Sequence, residues 1–189
     1  SILKIEGVDK LGGINYTIIP DRIEAGTFII MGILIGENLV IKNVTAEHLD
    51  ALFSVFEKIG SPINYDKKKR EVKVGAVPLQ SLKNISMETS PYPGFPTDLQ
   101  PQITTLLSLV PGRSTITETV FKSRFYHIDE LNRMGAKIRV EDNTAIIEGV
   151  NKLTGAPVEA TDLRAAAALL IAGLVAEGET VITNVDHIF

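Results

Sequence analysis

Asp98 stands at the end of Pro93-Gly94-Phe95-Pro96-Thr97-Asp98, and an apolar, helix-like segment follows it. Two prolines and a glycine so close together shape a rigid loop. Thr and Asp at such a point satisfy the free N–H groups of a helix start, so an N-cap is the plain reading of Thr97 and Asp98. A carboxylate on a shaped loop is also a place for chemistry. Asp162 and Arg164 recur in the same position later in the chain, at Ala160-Thr161-Asp162-Leu163-Arg164, and Asp21-Arg22 holds it earlier. Their plain reading is again a cap with a first-turn side chain. Arg124 follows a strand-like run, where a guanidinium can pair with phosphate or carboxylate. Val120 ends that run and reads as a strand-end core residue. His48, His127 and His187 are too scattered for metal-ligand spacing and read as helix-start polar residues.

These residues are positioned by a repeat. Ile5-Glu6-Gly7-Val8-Asp9-Lys10-Leu11-Gly12-Gly13 returns as Ile147-Glu148-Gly149-Val150-Asn151-Lys152-Leu153-Thr154-Gly155, with seven of nine residues identical at an offset of 142. Asp21, Asp98 and Asp162, spaced by 77 and 64, each open an apolar segment that ends at a glycine: Gly36, Gly112 and Gly178. An alternating run follows each glycine, at 38–44, 114–120 and 180–185, and reads as a half-buried strand. A His comes next, and then, in the first two units, a second helix. One such helix has Leu49, Leu52, Phe53 and Phe56 on one face and stops at Gly60; the other has Ile128, Leu131 and Met134 and stops at Gly135. Two strands close the unit, at 63–65 with 71–74 and at 137–140 with 144–148. The turn of the second pair is Asp142-Asn143.

The fold class expected is therefore α/β (α+β), built of repeated βαβαββ units. Residues 2–13 read as the tail of a preceding repeat, 14–75 as repeat one, 86–150 as repeat two and 156–189 as a partial repeat three, all in one truncated domain (1–189). The expectation is an excised piece of a longer protein. Composition agrees with a packed domain, at 189 residues with 44% hydrophobic and 22% charged residues. A formal charge of −4 argues against a generic nucleic-acid or anionic-membrane binder, and the absence of Cys excludes a disulfide or a thiol nucleophile on this chain. The longest apolar run, Ala165 to Ala176, is 12 residues, too short to span a bilayer. Lys67-Lys68-Lys69-Arg70 reads as a solvated hairpin tip.

Several of these strings occur together in one family. Pro20-Asp21-Arg22-Ile23-Glu24-Ala25-Gly26-Thr27-Phe28, Pro93 to Gln100, Thr117-Glu118-Thr119-Val120-Phe121, Ser123-Arg124-Phe125-Tyr126-His127 and Ala160 to Ala165 resemble, in order, the UDP-N-acetylglucosamine enolpyruvyl transferases. The resemblance covers essentially the whole chain. It implies an inside-out α/β barrel, helices in the middle and sheets outward, with helix N-termini aimed at one cleft. It implies transfer of enolpyruvyl from phosphoenolpyruvate to the 3-hydroxyl of UDP-N-acetylglucosamine, the committed step toward peptidoglycan in the bacterial cytoplasm, without a cofactor or metal. Asp98 matches the family's proposed base, Val120 a position whose backbone contacts the uridine nucleotide, and Asp162 and Arg164 positions at the cleft. The family's Cys or Asp loop and its Lys and Arg phosphate ligands belong to the other domain, so the resemblance implies that domain as a partner and no turnover by this chain alone. The alternatives are a shikimate-phosphate acceptor, as in enolpyruvylshikimate-phosphate synthase, and a non-enzymatic module on the same repeat.

Overall fold

The structure, a computed structural model, describes residues 2–186. His187, and the second helix expected after it, lie outside the described residues. Three short sheets surround packed helices. The first sheet has the order β1-β3-β2, from β1 (Leu39–Ile41), β2 (Asn64–Asp66) and β3 (Glu71–Val74), all antiparallel. The second has the order β4-β5-β7-β6, from β4 (Ser86–Glu88), β5 (Arg113–Thr117), β6 (Lys137–Glu141) and β7 (Thr144–Glu148). In it β4 runs parallel to β5, and the other pairs are antiparallel. The third is β8 (Pro157–Glu159) parallel to β9 (Val181–Thr183).

Helices α1 (Arg22–Ile35), α3 (Gln100–Leu107) and α5 (Leu163–Val175) pack on one another. A helix with a single apolar stripe cannot be covered on all sides; these carry small and apolar residues nearly all round, as an interior helix must. All eight residues of α3 are buried, including Gln100, Thr104 and Thr105. On α5 the alanines let the backbone of α3 come close, and the Thr105 hydroxyl donates to the Ala168 carbonyl at 3.3 Å. Gly26 of α1 serves the same end, since a Cβ there would meet the side chains of Leu99 and Leu52. The strands bury one face toward these helices and expose the other; in β3, Val72 and Val74 are buried and Lys73 is exposed. Helices α2 (Asp50–Ile59) and α4 (His127–Arg133) bury Leu52, Val55, Phe56 and Ile59, and Ile128 and Leu131, respectively.

The expected periodicity is visible, with differences at element ends. Unit two is complete as β4-α3-β5-α4-β6-β7. The alternating runs expected to 44, 120 and 185 stop earlier, at Ile41, Thr117 and Thr183. The strands stop at the last residues of their ladders, Ile41 opposite Val72, Thr117 opposite Thr144 and Thr183 opposite Glu159. In unit one no strand forms between residues 14 and 20, which carry no sheet pairing; Ile14 and Ile18 are exposed. Helix α2 begins at Asp50 after a separate 3-10 turn (Ala46–His48).

Candidate functional site

The starts of α1, α3 and α5 converge on a cavity of about 610 Å³. Asp21, Glu24 and Phe28 line it from α1, Asp98 and Gln102 from the α3 side, and Leu163 and Arg164 from α5. Two of the three helix starts are closed by aspartate caps. Asp21 Oδ1 accepts from the N–H groups of Ile23 (2.7 Å) and Glu24 (3.3 Å). Asp162 Oδ1 accepts from those of Arg164 and Ala165, both at 2.8 Å. Two first-turn N–H groups of each helix are therefore held by its own aspartate, as the cap reading of Asp21 and Asp162 expects.

Asp98 is not a cap. It lies inside a 3-10 turn (Thr97–Leu99) whose preceding residue is Pro96, and no side chain caps that turn or α3. Its Oδ1 instead accepts from Arg164 Nε at 2.6 Å and Arg124 Nη1 at 3.0 Å. No hydrogen bond among the described residues reaches Oδ2. The N-cap reading of Thr97 fails for a similar reason, because its hydroxyl points inward: Oγ1 donates to Glu118 Oε2 at 2.9 Å and accepts from Arg124 Nη1 at 3.0 Å.

The sequence-predicted residues thus meet. Thr97, Asp98, Arg124 and Arg164 form one connected network, and Asp162 anchors the turn that carries Arg164. Val120 lies beyond the end of β5 rather than in it, half-buried, and its N–H donates to Glu118 Oε1 at 2.9 Å. Arg124 is mostly buried at 15% side-chain exposure, with its guanidinium 4.2 Å from the Phe121 ring centre. Two cations on one carboxylate oxygen make a site that holds a negative group in a fixed direction.

Glu118, Thr89 and Gln102 were not singled out by sequence. A signal for Glu118 exists: Ser114, Ile116 and Glu118 alternate inward, which places a carboxylate on a core face. His127 does head α4, but it is buried at 2% exposure and its Nε2 has no partner among the described residues. Burial lowers its pKa from 6.5 to about 3, against the opposing pull of Asp162. It is therefore a neutral core histidine rather than a surface helix-start group.

Comparison with known proteins bears on this arrangement. The family described as EPSP synthase (3-phosphoshikimate 1-carboxyvinyltransferase) matches residues 1–189. The UDP-N-acetylglucosamine 1-carboxyvinyltransferase of Thermotoga maritima is 53% identical over all of this chain and 44% of that protein. A protein of the same name from Desulfofundulus thermocisternus is 49% identical over 99% of this chain and 76% of its own length. The enolpyruvyl transferase NikO from Streptomyces tendae superimposes with a TM-score of 0.81 at 30% identity, over 91% of this chain and 40% of NikO. EPSP synthase from Acinetobacter baumannii, at TM-score 0.66 and 24% identity over 89% of this chain and 40% of its own, shares the fold. The chain spans under half the length of the Thermotoga relative. Its helices enclosed by sheets are the inside-out α/β architecture of these transferases, and the chain belongs to the carboxyvinyltransferase family that they represent.

Proposed function

We propose that this chain supplies the hydroxyl-activating side of an enzyme that transfers enolpyruvyl from phosphoenolpyruvate to the 3-hydroxyl of UDP-N-acetylglucosamine. The observation that carries the reading is Asp98, which lines the cavity with Oδ1 clamped by Arg124 and Arg164 and with no hydrogen bond to Oδ2 among the described residues. A carboxylate so oriented takes the proton of the acceptor hydroxyl while the hydroxyl oxygen bonds to C2 of phosphoenolpyruvate. A proton adds to C3, then leaves again as inorganic phosphate departs, so the products are the enolpyruvyl ether and phosphate. The donor of the C3 proton and further phosphate ligands belong to the enzyme's other domain. In this reading Arg164, which lines the cavity, and Arg124 beside it pair with phosphoenolpyruvate's carboxylate or phosphate. The N–H of Val120 is occupied by Glu118, which leaves its carbonyl for the uridine nucleotide. In this reading the protein works in the bacterial cytoplasm, at the committed step toward peptidoglycan, and so serves cell shape and division.

Two measurements test the proposal. In the intact enzyme that contains this chain, Asp98→Asn is expected to lower phosphate release by about 10²–10⁴-fold with nucleotide binding retained. Unchanged turnover refutes the base role. Competition between UDP-N-acetylglucosamine and shikimate 3-phosphate decides the acceptor. A non-enzymatic module would bind neither and be indifferent to the substitution.

A further inference from the structure

Glu118 is fully buried, yet no Lys or Arg side chain among the described residues contacts it. A lone carboxylate in a core is costly unless its oxygens are well bonded. Here neutral donors do this. Oε1 accepts from the Thr89 hydroxyl at 2.7 Å and from the backbone N–H groups of Val120 at 2.9 Å and Phe121 at 3.0 Å. Oε2 accepts from the Thr97 hydroxyl at 2.9 Å. The residue's own backbone is tied to the β6–β7 turn: Glu118 N–H donates to the Asn143 carbonyl at 2.8 Å, and Asn143 Nδ2 donates to the Glu118 carbonyl at 3.0 Å.

The two oxygens do different things. Oε1 gathers the turn after β5 and the residue after β4. Oε2 takes the single proton of Thr97, and this fixes the Thr97 lone pairs toward Arg124, which donates to them at 3.0 Å. Phe121, whose backbone N–H donates to Oε1, sets its ring 4.2 Å from the same guanidinium. Arg124 is thus oriented by two groups that Glu118 holds, and Arg124 in turn bonds Asp98. We propose that Glu118 is a positioning residue: a buried carboxylate that never meets substrate but sets the direction of Arg124, and through it that of Asp98. Its purpose rests on the function proposed above, but its test does not require turnover.

The test uses the intact, nitrogen-15-labelled enzyme that contains this chain and follows exchange of the Arg124 guanidinium N–H with water. Arg113, paired with Glu148 at 2.6 Å on the sheet surface, is the internal control. Glu118→Gln keeps the shape and the acceptor for the turn, but it puts an NH2 where Thr97 needs an acceptor. Arg124 exchange is expected to quicken roughly tenfold, the weight of one lost hydrogen bond, with Arg113 unchanged. Should that variant fail to fold, Thr97→Val cuts the same link and is expected to give the same rise, while Thr97→Ser restores the wild-type rate. In a folded pair, adding Glu118→Gln to Thr97→Val is expected to change Arg124 little further. Unchanged Arg124 exchange in folded Glu118→Gln, or in Thr97→Val, overturns the proposal. Titration with UDP-N-acetylglucosamine is read separately. Failure to bind counts against the function and leaves the exchange result standing.

Discussion

At the scale of single residues, His127 gives a pH signature that can be calculated in sign. Its folded pKa, about 3, lies below the unfolded value of 6.5 because burial disfavours the imidazolium. Between these values the unfolded chain binds a proton that the folded chain does not, so stability falls as pH drops through that window. The loss is about 2 kcal/mol by pH 5, and His127→Gln is expected to abolish that part of it. Urea midpoints at pH 7 and pH 5 measure both, and equal slopes in the two proteins would show that His127 is protonated in the fold. His127 was legible in sequence as a helix-start residue but not as a buried one, because its burial depends on elements far along the chain. The same division holds in the network. Asp98, Arg124 and Arg164 were visible through their motifs, and Asp162 was correctly read as a cap. That Asp98 is clamped rather than capping was not visible, since its partners stand 26 and 66 residues away. The alternation signals that Glu118 points inward, but its partners were not legible, since its donors come from the residue after β4, the 3-10 turn and its own loop.

At the scale of elements, the internal repeat acquires a physical reason. Its glycines at 149 and 155 lie where two backbones meet. A Cβ on Gly149 would overlap the Val110 carbonyl, and one on Gly155 would overlap the backbone of Glu179. Both glycines also donate N–H bonds across these contacts, Gly149 to Gly112 at 2.9 Å and Gly155 to Glu177 at 2.8 Å. Neither neighbour is a flexible side-chain tip, so Gly149→Ala is expected to destabilise by about 1–3 kcal/mol through forced backbone displacement. Gly7 occupies the matching place in the first copy, but nothing lies within 4 Å of a Cβ there, and Gly7→Ala is expected to be near neutral. Urea melts of the two variants test the contrast, and equal losses would remove close approach as the explanation. Capping gives a companion case. Asp162→Ala removes two N–H acceptors at α5 and is expected to cost about 1 kcal/mol, whereas Asp162→Asn retains most of it. The apolar spacing made the helices and most strands legible. Strand ends were not, since they follow partners rather than propensity.

At the scale of the whole molecule, the three units are unequally built. The β4–β7 sheet has four strands, its β5 and β7 joined over five residue pairs, with Ile116, Ala145 and Ile147 fully buried beneath. The β8–β9 sheet has two strands of three residues each, among the described residues. Two-stranded sheets are marginal in water unless they pack on something else. Val158 does pack inward at 3% exposure, but Val181 is half exposed, and Leu170 and Leu174 on the outer face of α5 are exposed at 43% and 58%. A unit with few buried apolar contacts opens at lower free energy than the global transition. Amides of Val181, Ile182 and Thr183 are therefore expected to exchange at least 100-fold faster than those of Ile116 and Ile147, roughly 2.7 kcal/mol in opening energy. Hydrogen exchange resolved by residue, at a pH where exchange follows the opening equilibrium, measures this difference. Protection at β9 that rises with protein concentration, together with a doubled light-scattering mass, would assign the stabilisation to a second copy that covers the exposed face. Equal protection of β5 and β9 at every concentration would show instead that α5 binds the third unit firmly into the core, and the prediction would fail.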